Sequence, residues 1–488
     1  MSPCISVVAG GHLLYCTAVH DPQRRRQLGA WYTPDDLVTH VVAASLDGAV
    51  PLPRRVLDPA CGDGRFLAAV RAALAARGHA VQVCGVDVDT GALQEARHRL
   101  GVDAELIHAD ALDHPWGERR FDLVIGNPPF LSPLTAGNTP RGANRTSPYA
   151  DTAVAFWHLA HRLAAPEGGR VAFVLPTSVL ASRDAGAVRE DIACRASWRW
   201  WWWAETPVFP DAQVITGALV TECGGARRPV QRQAGTTFEP LAPVTPPDEV
   251  TPSWGWLVAD ALGLPALPAG CLAATGVLGD QAVARGDFRD QYYGLVAAVV
   301  EGGDGPPFVT SGLIDPGRCL WGERPVRFAG QRFERPTVEL GRLSPPMSRW
   351  AQSRLTPKVV VASQTRMIEA AADPGGRWLP GVPVISVLPR RGADVWAVTA
   401  VLCSPAASLW LAHRAAGTGR SAHVVRVAAP VLAGVPWPVG DLAVAAAAME
   451  AGDLDTAAQA TLTAYGVGGN VADEWVSWWR SAMPRGRR

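Results

Sequence analysis

The stretch Leu57-Asp58-Pro59-Ala60-Cys61-Gly62-Asp63-Gly64-Arg65-Phe66-Leu67 decides the fold of the amino-terminal part of the chain. It reads as the end of a β-rich run (56–60), a turn with two glycines, and the start of a helical run rich in Ala, Leu and Arg (66–76). Working outward, β-rich runs at 81–87, 105–109, 122–125 and 170–175 alternate with helix-like stretches such as 92–100. Strands separated by single helices predict βαβ units and a parallel sheet covered on both faces. Two more runs, 200–204 and 215–221, would extend that sheet. The expected class is α/β, followed by a second α+β domain.

The chain has 488 residues, with 45 Lys+Arg balancing 45 Asp+Glu and 48% hydrophobic residues, enough for two or three domains with substantial cores. No apolar run reaches the length of a membrane-spanning helix. The mildly apolar stretch 5–19 contains Gly10, Gly11 and His12 and follows no basic segment, so no signal peptide is expected. The nine cysteines form no C-x-x-C pair, which points to free thiols, a cytoplasmic location and no metal site. Residues 226–253 carry six prolines with little hydrophobic periodicity and read as a linker. Net charge is zero, but the segment 318–426 is locally basic, and the chain's one lysine, Lys358, lies in it.

Three features carry chemistry. Gly62 and Gly64 let the backbone turn sharply and approach a ligand at a helix amino terminus. Asp87, 25 residues beyond Gly62, ends the next strand where an acid can meet ribose hydroxyls. Asp63 between the glycines departs from the G-x-G-x-x-G pattern of NAD sites, and Asp58 suits a cationic ammonium group, which favours S-adenosylmethionine. Finally, Asn127-Pro128-Pro129-Phe130 follows a strand after a single glycine. Prolines remove N–H donors, so the Asn127 amide oxygen and the Pro128 carbonyl can both accept from one exocyclic amine, while Phe130 can stack on its ring. A glycine turn alone is common, and Asn-Pro-Pro alone can simply close a strand; their combination is informative.

Together these residues resemble the gamma class of S-adenosylmethionine-dependent DNA N6-adenine methyltransferases, the group of the TaqI modification methylase. The resemblance covers 27–225 strongly and 270–440 diffusely. It implies a Rossmann-like class I methyltransferase sheet with a C-terminal α+β target-recognition domain. Gly29-Ala30-Trp31-Tyr32-Thr33-Pro34 resembles the opening motif, which places Thr33 at the cofactor. Asp58, Ala60 and Gly62 match the loop around its methionine moiety. Asp87 matches the ribose acid, Val88 the apolar residue on its adenine, and Asp110 the acceptor from the adenine amino group. Ala111 departs from the larger residue usual at that place. Asn127, Pro128 and Phe130 match the catalytic tetrapeptide. Phe209, in Thr206-Pro207-Val208-Phe209-Pro210, matches the aromatic on the far face of a flipped base.

The resemblance also implies double-stranded DNA as partner, a base extruded from the duplex, a monomer, and room for a separate restriction endonuclease. The expected organisation is an extension (1–26), a catalytic domain (27–225), the linker (226–253), a DNA target-recognition domain (254–440) and a helical segment with a basic tail (441–488). Candidate DNA contacts are Arg141 and Arg145 in the loop after the tetrapeptide, and Arg342, Arg349, Arg354, Lys358 and Arg366 in the basic segment. A fused nuclease of the P-D…(D/E)-x-K type needs an acid two residues before its lysine; Thr356 stands there, so none is expected. The run Trp198-Arg199-Trp200-Trp201-Trp202-Trp203 fits a strand packed on both faces better than a base-stacking platform. Other readings stay open: a protein glutamine or ribosomal RNA methyltransferase sharing the Asn-Pro-Pro-aromatic motif, a DNA N4-cytosine enzyme, or a non-catalytic DNA-binding derivative.

Overall fold

The computed structural model describes residues 33–130, 152–209, 214–248, 253–287, 289–390, 393–419, 421 and 423–484. By its internal contacts the chain divides into two units: Met1–Leu175, Arg195–Trp200 and Ala218–Ala226 form the first, and Pro176–Cys194, Trp201–Gly217 and Arg227–Arg488 the second.

The first unit alternates as the sequence predicts. It runs α1 (Asp35–Leu46), β1 (Arg55–Asp58), α2 (Arg65–Ala75), β2 (Gln82–Asp87), α3 (Thr90–Leu100), β3 (Glu105–His108), β4 (Leu123–Gly126), α4 (Thr152–Leu163) and β5 (Arg170–Pro176). Strands β6 (Ala196–Trp203) and β7 (Thr216–Cys223) follow. The main sheet passes through this unit in the order β3-β2-β1-β4-β5-β7-β6. The pairs β1–β2, β2–β3, β1–β4 and β4–β5 are parallel, with Asp58 opposite Gly85 and Val56 opposite Leu123. Cys223 donates to the Gly169 carbonyl and Thr177 to the Ile215 carbonyl, so β7 runs antiparallel to β5.

Strand order reverses between β1 and β4, and a crevice beyond the carboxyl ends of such strands is where α/β sheets bind ligands. Asp58 ends β1 and Gly126 ends β4. The central strands are buried on both faces, every residue of β4 and β5 included, which explains their unbroken apolar sequence. The tryptophan run forms β6, and Trp198 and Trp200–Trp203 are all buried, so a strand packed on both faces is what the structure shows.

In the second unit, strands Ala282–Gly286, Ile385–Pro389, Lys358–Val361 and Ala370–Asp373 form an antiparallel sheet in that order. Val359 and Val361 face one core with Val387, Val398, Val401 and Met449. Val360 faces another with Phe308, Phe328 and Leu379. Burial on both faces accounts for a run of valines without polar alternation. Helices Ala443–Glu450, Leu454–Ala464 and Gly469–Ala482 close the chain, the first two contributing to the same core as Val359.

Residues 226–253 are not a structureless linker: strands Val230–Ala234 and Glu239–Val244 pair as an antiparallel hairpin. Buried Arg232 anchors it, donating to both carboxylate oxygens of Asp260 at 2.6 Å and to the Ala242 and Leu257 carbonyls. Pro229 directly precedes the first of these strands, and Pro240 and Pro243 lie in the second, an edge strand. Among the described residues no single helix is long and apolar enough to cross a membrane.

Candidate active site

Beyond β1 the chain turns sharply, with Gly62 at φ +51° and Gly64 at φ +77°. Gly64 caps α2, and a Cβ there would press on Ala96 and Leu100 of α3 at 3.0–3.3 Å, so glycine is required for helix packing. At Gly62 a Cβ would meet no described atom within 4 Å, so the space over the loop is open. The loop is tied to the next strand by Cys61 donating to the Val86 carbonyl (2.9 Å) and Gly62 to Asp87 Oδ2 (2.8 Å).

Asp58 is 1% exposed; its Oδ1 accepts from the Ala60 N–H at 3.1 Å, and no ion pair reaches it among the described residues. Burial, with the charges of Asp87 and Asp63 adding, pushes its carboxyl well above the usual range. Asp87, half-buried, is likewise raised by burial, although the N–H groups of Asp89 and Gly62 oppose that shift. An uncompensated pair of acids lining an open loop fits a cationic ligand with hydroxyls. Val88 fits the same ligand as an apolar surface: it is 51% exposed directly after Asp87. Asp110 stands half-buried beyond β3, its Oδ1 accepting from the Leu112 N–H at 3.0 Å.

The tetrapeptide meets this loop directly. A Cβ on Gly126 would lie 2.4 Å from Asp58 Oδ1, so the backbone before Asn127 passes against the carboxylate. Asn127 is half-buried, Pro128 buried and Phe130 half-buried. The Asn127 Nδ2 donates to Thr33 Oγ1 at 3.1 Å, which joins the opening motif to the tetrapeptide. The structure thus brings Thr33, Asp58, Ala60, Gly62, Asp87 and Asn127 into one linked site.

Residues 16–194 match the family model described as N-6 DNA Methylase. That match takes in less than half of the chain. In sequence the chain is similar to the type II methyltransferase M.TthHB8I of Thermus thermophilus, 32% identical over 230 residues that make up 44% of this chain and 50% of the relative. A second relative, the type II methyltransferase M.BanIII of Aneurinibacillus aneurinilyticus, is 26% identical over 204 residues, 35% of this chain and 34% of its own. The chain spans about half or less of the length of these curated relatives. Its fold is similar to that of the type IIL restriction-modification enzyme MmeI solved in complex with DNA, with a TM-score of 0.62 and 13% identity over 95% of this chain and 80% of that one. The matched residues contain the parallel part of the main sheet, β1 to β5.

Two expected DNA contacts need correction. Lys358 is 0% exposed and pairs with Asp373 at 2.6 Å, so it cannot reach a phosphate. Arg354 is buried against Asp287, which also accepts from Trp350 Nε1 at 2.9 Å. Both cations hold the fold. Arg342 is exposed and paired with Glu339, while Arg349 and Arg366 are exposed. Phe209 is buried at 2%. Arg141, Arg145 and the part of the opening motif before Thr33 lie outside the described residues.

Sequence reasoning missed three things. Gly126 is sterically obliged by Asp58, and its signal was its place just before the tetrapeptide. Asp63, which looked like a departure from a cofactor loop, is structural: buried, it takes Arg65 (2.8 Å) and Arg99 (2.9 Å). Gln364 and Arg426, both exposed, sit opposite each other on a short antiparallel bridge, two residues before Arg366.

Proposed function

We propose that the chain is a site-specific DNA N6-adenine methyltransferase of the gamma type, using S-adenosylmethionine and serving modification in a restriction-modification system. The contact of Asp58 with Gly126 carries this reading, because it sets the cofactor loop and the base-binding tetrapeptide side by side at the strand-order switch. The matched relatives, which are type II methyltransferases, support the modification role.

In this reading Asp58 holds the cofactor's ammonium, the opened backbone at Gly62 admits its methionine portion, and Asp87 accepts from its ribose. Val88 lies on its adenine, whose amino group Asp110 receives, and Thr33 lines the same site. Bound there, the cofactor supplies an electrophilic methyl on sulfonium. An exocyclic amine is a poor nucleophile because its lone pair is delocalised into the ring. The Asn127 Oδ1 and the Pro128 carbonyl accept its two N–H bonds, draw the nitrogen towards tetrahedral geometry and aim its lone pair. Preorganised groups of this kind contribute about 3–4 kcal/mol each by analogy with an oxyanion-hole donor. Phe130 stacks on the extruded base. Phe209, the second expected face, has to exchange its present packing to reach one.

Sequence reading falls to exposed polar groups of the second unit. Gln364, Arg366 and Arg426 are suited to base edges, since Gln matches adenine and Arg matches guanine in the major groove. Arg349 and Arg342 suit phosphates. Incubation with methyl-labelled S-adenosylmethionine and duplex DNA, followed by nucleoside mass spectrometry, tests the assignment. N6-methyldeoxyadenosine is the expected product. N4-methyldeoxycytidine, or label that enters RNA or protein and not DNA, overturns it.

A further inference from the structure

We propose that Thr33 is a positioning residue that anchors the Asn127 side-chain amide in the arrangement in which its oxygen faces the substrate. This rests on the methyltransferase reading above but concerns a bond that exists without DNA. An amide has two ends of nearly equal size and opposite hydrogen-bonding character: the oxygen accepts and the nitrogen donates. The reaction needs the oxygen towards the amine. A flipped Asn127 would set its own N–H groups against those of the base, replacing an attraction with a repulsion while leaving the shape of the site unchanged.

Asn127 Nδ2 donates to Thr33 Oγ1 at 3.1 Å across 94 residues of sequence. A hydroxyl can both accept and donate, so the bond anchors the amide plane; in the arrangement seen the nitrogen lies at Thr33 and the oxygen at the other end. Thr33 can act as a fixed reference because it is itself immobilised. It is 2% exposed and followed by Pro34, whose carbonyl accepts the first helical bond of α1 from Val38 at 3.0 Å. Its own carbonyl accepts from Arg65 Nη1. Arg65 is held in turn by Asp63 at 2.8 Å, and Asp63 by Arg99 at 2.9 Å. The acid between the two glycines therefore acts on catalysis at a distance: it braces the arginine that braces the threonine that orients the amide.

The test is direct because the chain has four asparagines, Asn127, Asn138, Asn144 and Asn470. In the full-length protein labelled with 15N-asparagine, the Asn127 side-chain amide signal is identified by its loss in Asn127→Ala. Thr33→Val, which removes the hydroxyl at nearly constant volume, is expected to speed exchange of that amide with water about tenfold, the scale of one hydrogen bond. It should also lower kcat about tenfold at saturating cofactor and DNA, with KM for DNA changed less than about threefold. Thr33→Ser should restore both. Unchanged exchange and kcat in Thr33→Val overturns the proposal. So does a loss that Thr33→Ser leaves unrepaired, or one confined to the KM for cofactor. If the wild-type protein methylates no DNA, the functional reading fails while the exchange measurement still decides the bond.

Discussion

Asp58 and Asp373 are both buried carboxylates at the ends of strands, one in each unit, and they are treated in opposite ways. Asp373 takes the Lys358 ammonium at 2.6 Å and the N–H groups of Arg377 and Trp378 at 2.9 Å each. Asp58 has one backbone N–H and two acids for electrostatic neighbours. A buried charge without a partner is costly, so a fold keeps one only where something else supplies the partner. The matched charge of Asp373 belongs to the scaffold, and the unmatched one of Asp58 is what the proposed cofactor site draws on.

The contrast predicts opposite responses. Lys358→Ala leaves Asp373 buried without its cation and should destabilise the protein by about 3–5 kcal/mol, measured by thermal or chemical denaturation. Combining Lys358→Met with Asp373→Asn, which removes both charges and keeps an acceptor oxygen for the Arg377 and Trp378 N–H groups, should recover part of that loss. Asn127→Ala should slow methyl transfer by about 3–4 kcal/mol of barrier, with the melting temperature unmoved and cofactor affinity within a few-fold. A large affinity loss would place Asn127 on the cofactor instead. Asp87→Ala should weaken S-adenosylmethionine binding by about 1.5–3 kcal/mol, the range for a bond to a charged group; an unchanged titration removes Asp87 from the ribose. The smallest effect belongs to the exposed cations. Arg349→Ala, if it removes one phosphate contact, should reduce the slope of log affinity for DNA against log salt by about 1. A flat salt dependence in the wild type would remove DNA as partner altogether.

The order of β1 to β5 was legible because parallel strands buried on both faces announce themselves as short apolar runs between helices. The places of Asp58, Asp87 and Asn127 in the fold were legible for a related reason: Asp58 and Asp87 end strands, and Asn127 directly follows one. What sequence could not show was who neutralises whom. Lys358 and Arg354 look like surface cations in a basic segment until Asp373, 15 residues on, and Asp287, 67 residues back, are seen to bury them. The structural role of Asp63 was hidden for the same reason, since Arg99 lies 36 residues away. Proline content hid the hairpin at 230–244 because its anchor, Arg232, depends on Asp260 beyond the segment.

Burial and neighbouring acids hold the Asp58 pKa above its unfolded value. Its contribution to stability is therefore fully present below the unfolded-state pKa and lost as the pH rises through the folded-state pKa, so raising the pH acts against the cofactor-free fold. Asp58→Asn relieves that opposition while removing the charge meant for the cofactor. Paired measurement of melting temperature and S-adenosylmethionine affinity in Asp58→Asn, at neutral pH, should give a protein at least as stable as the wild type that binds cofactor at least about tenfold more weakly. Unchanged affinity, or a drop in stability like that of Lys358→Ala, would mean that Asp58 belongs to the scaffold and that the site lies elsewhere.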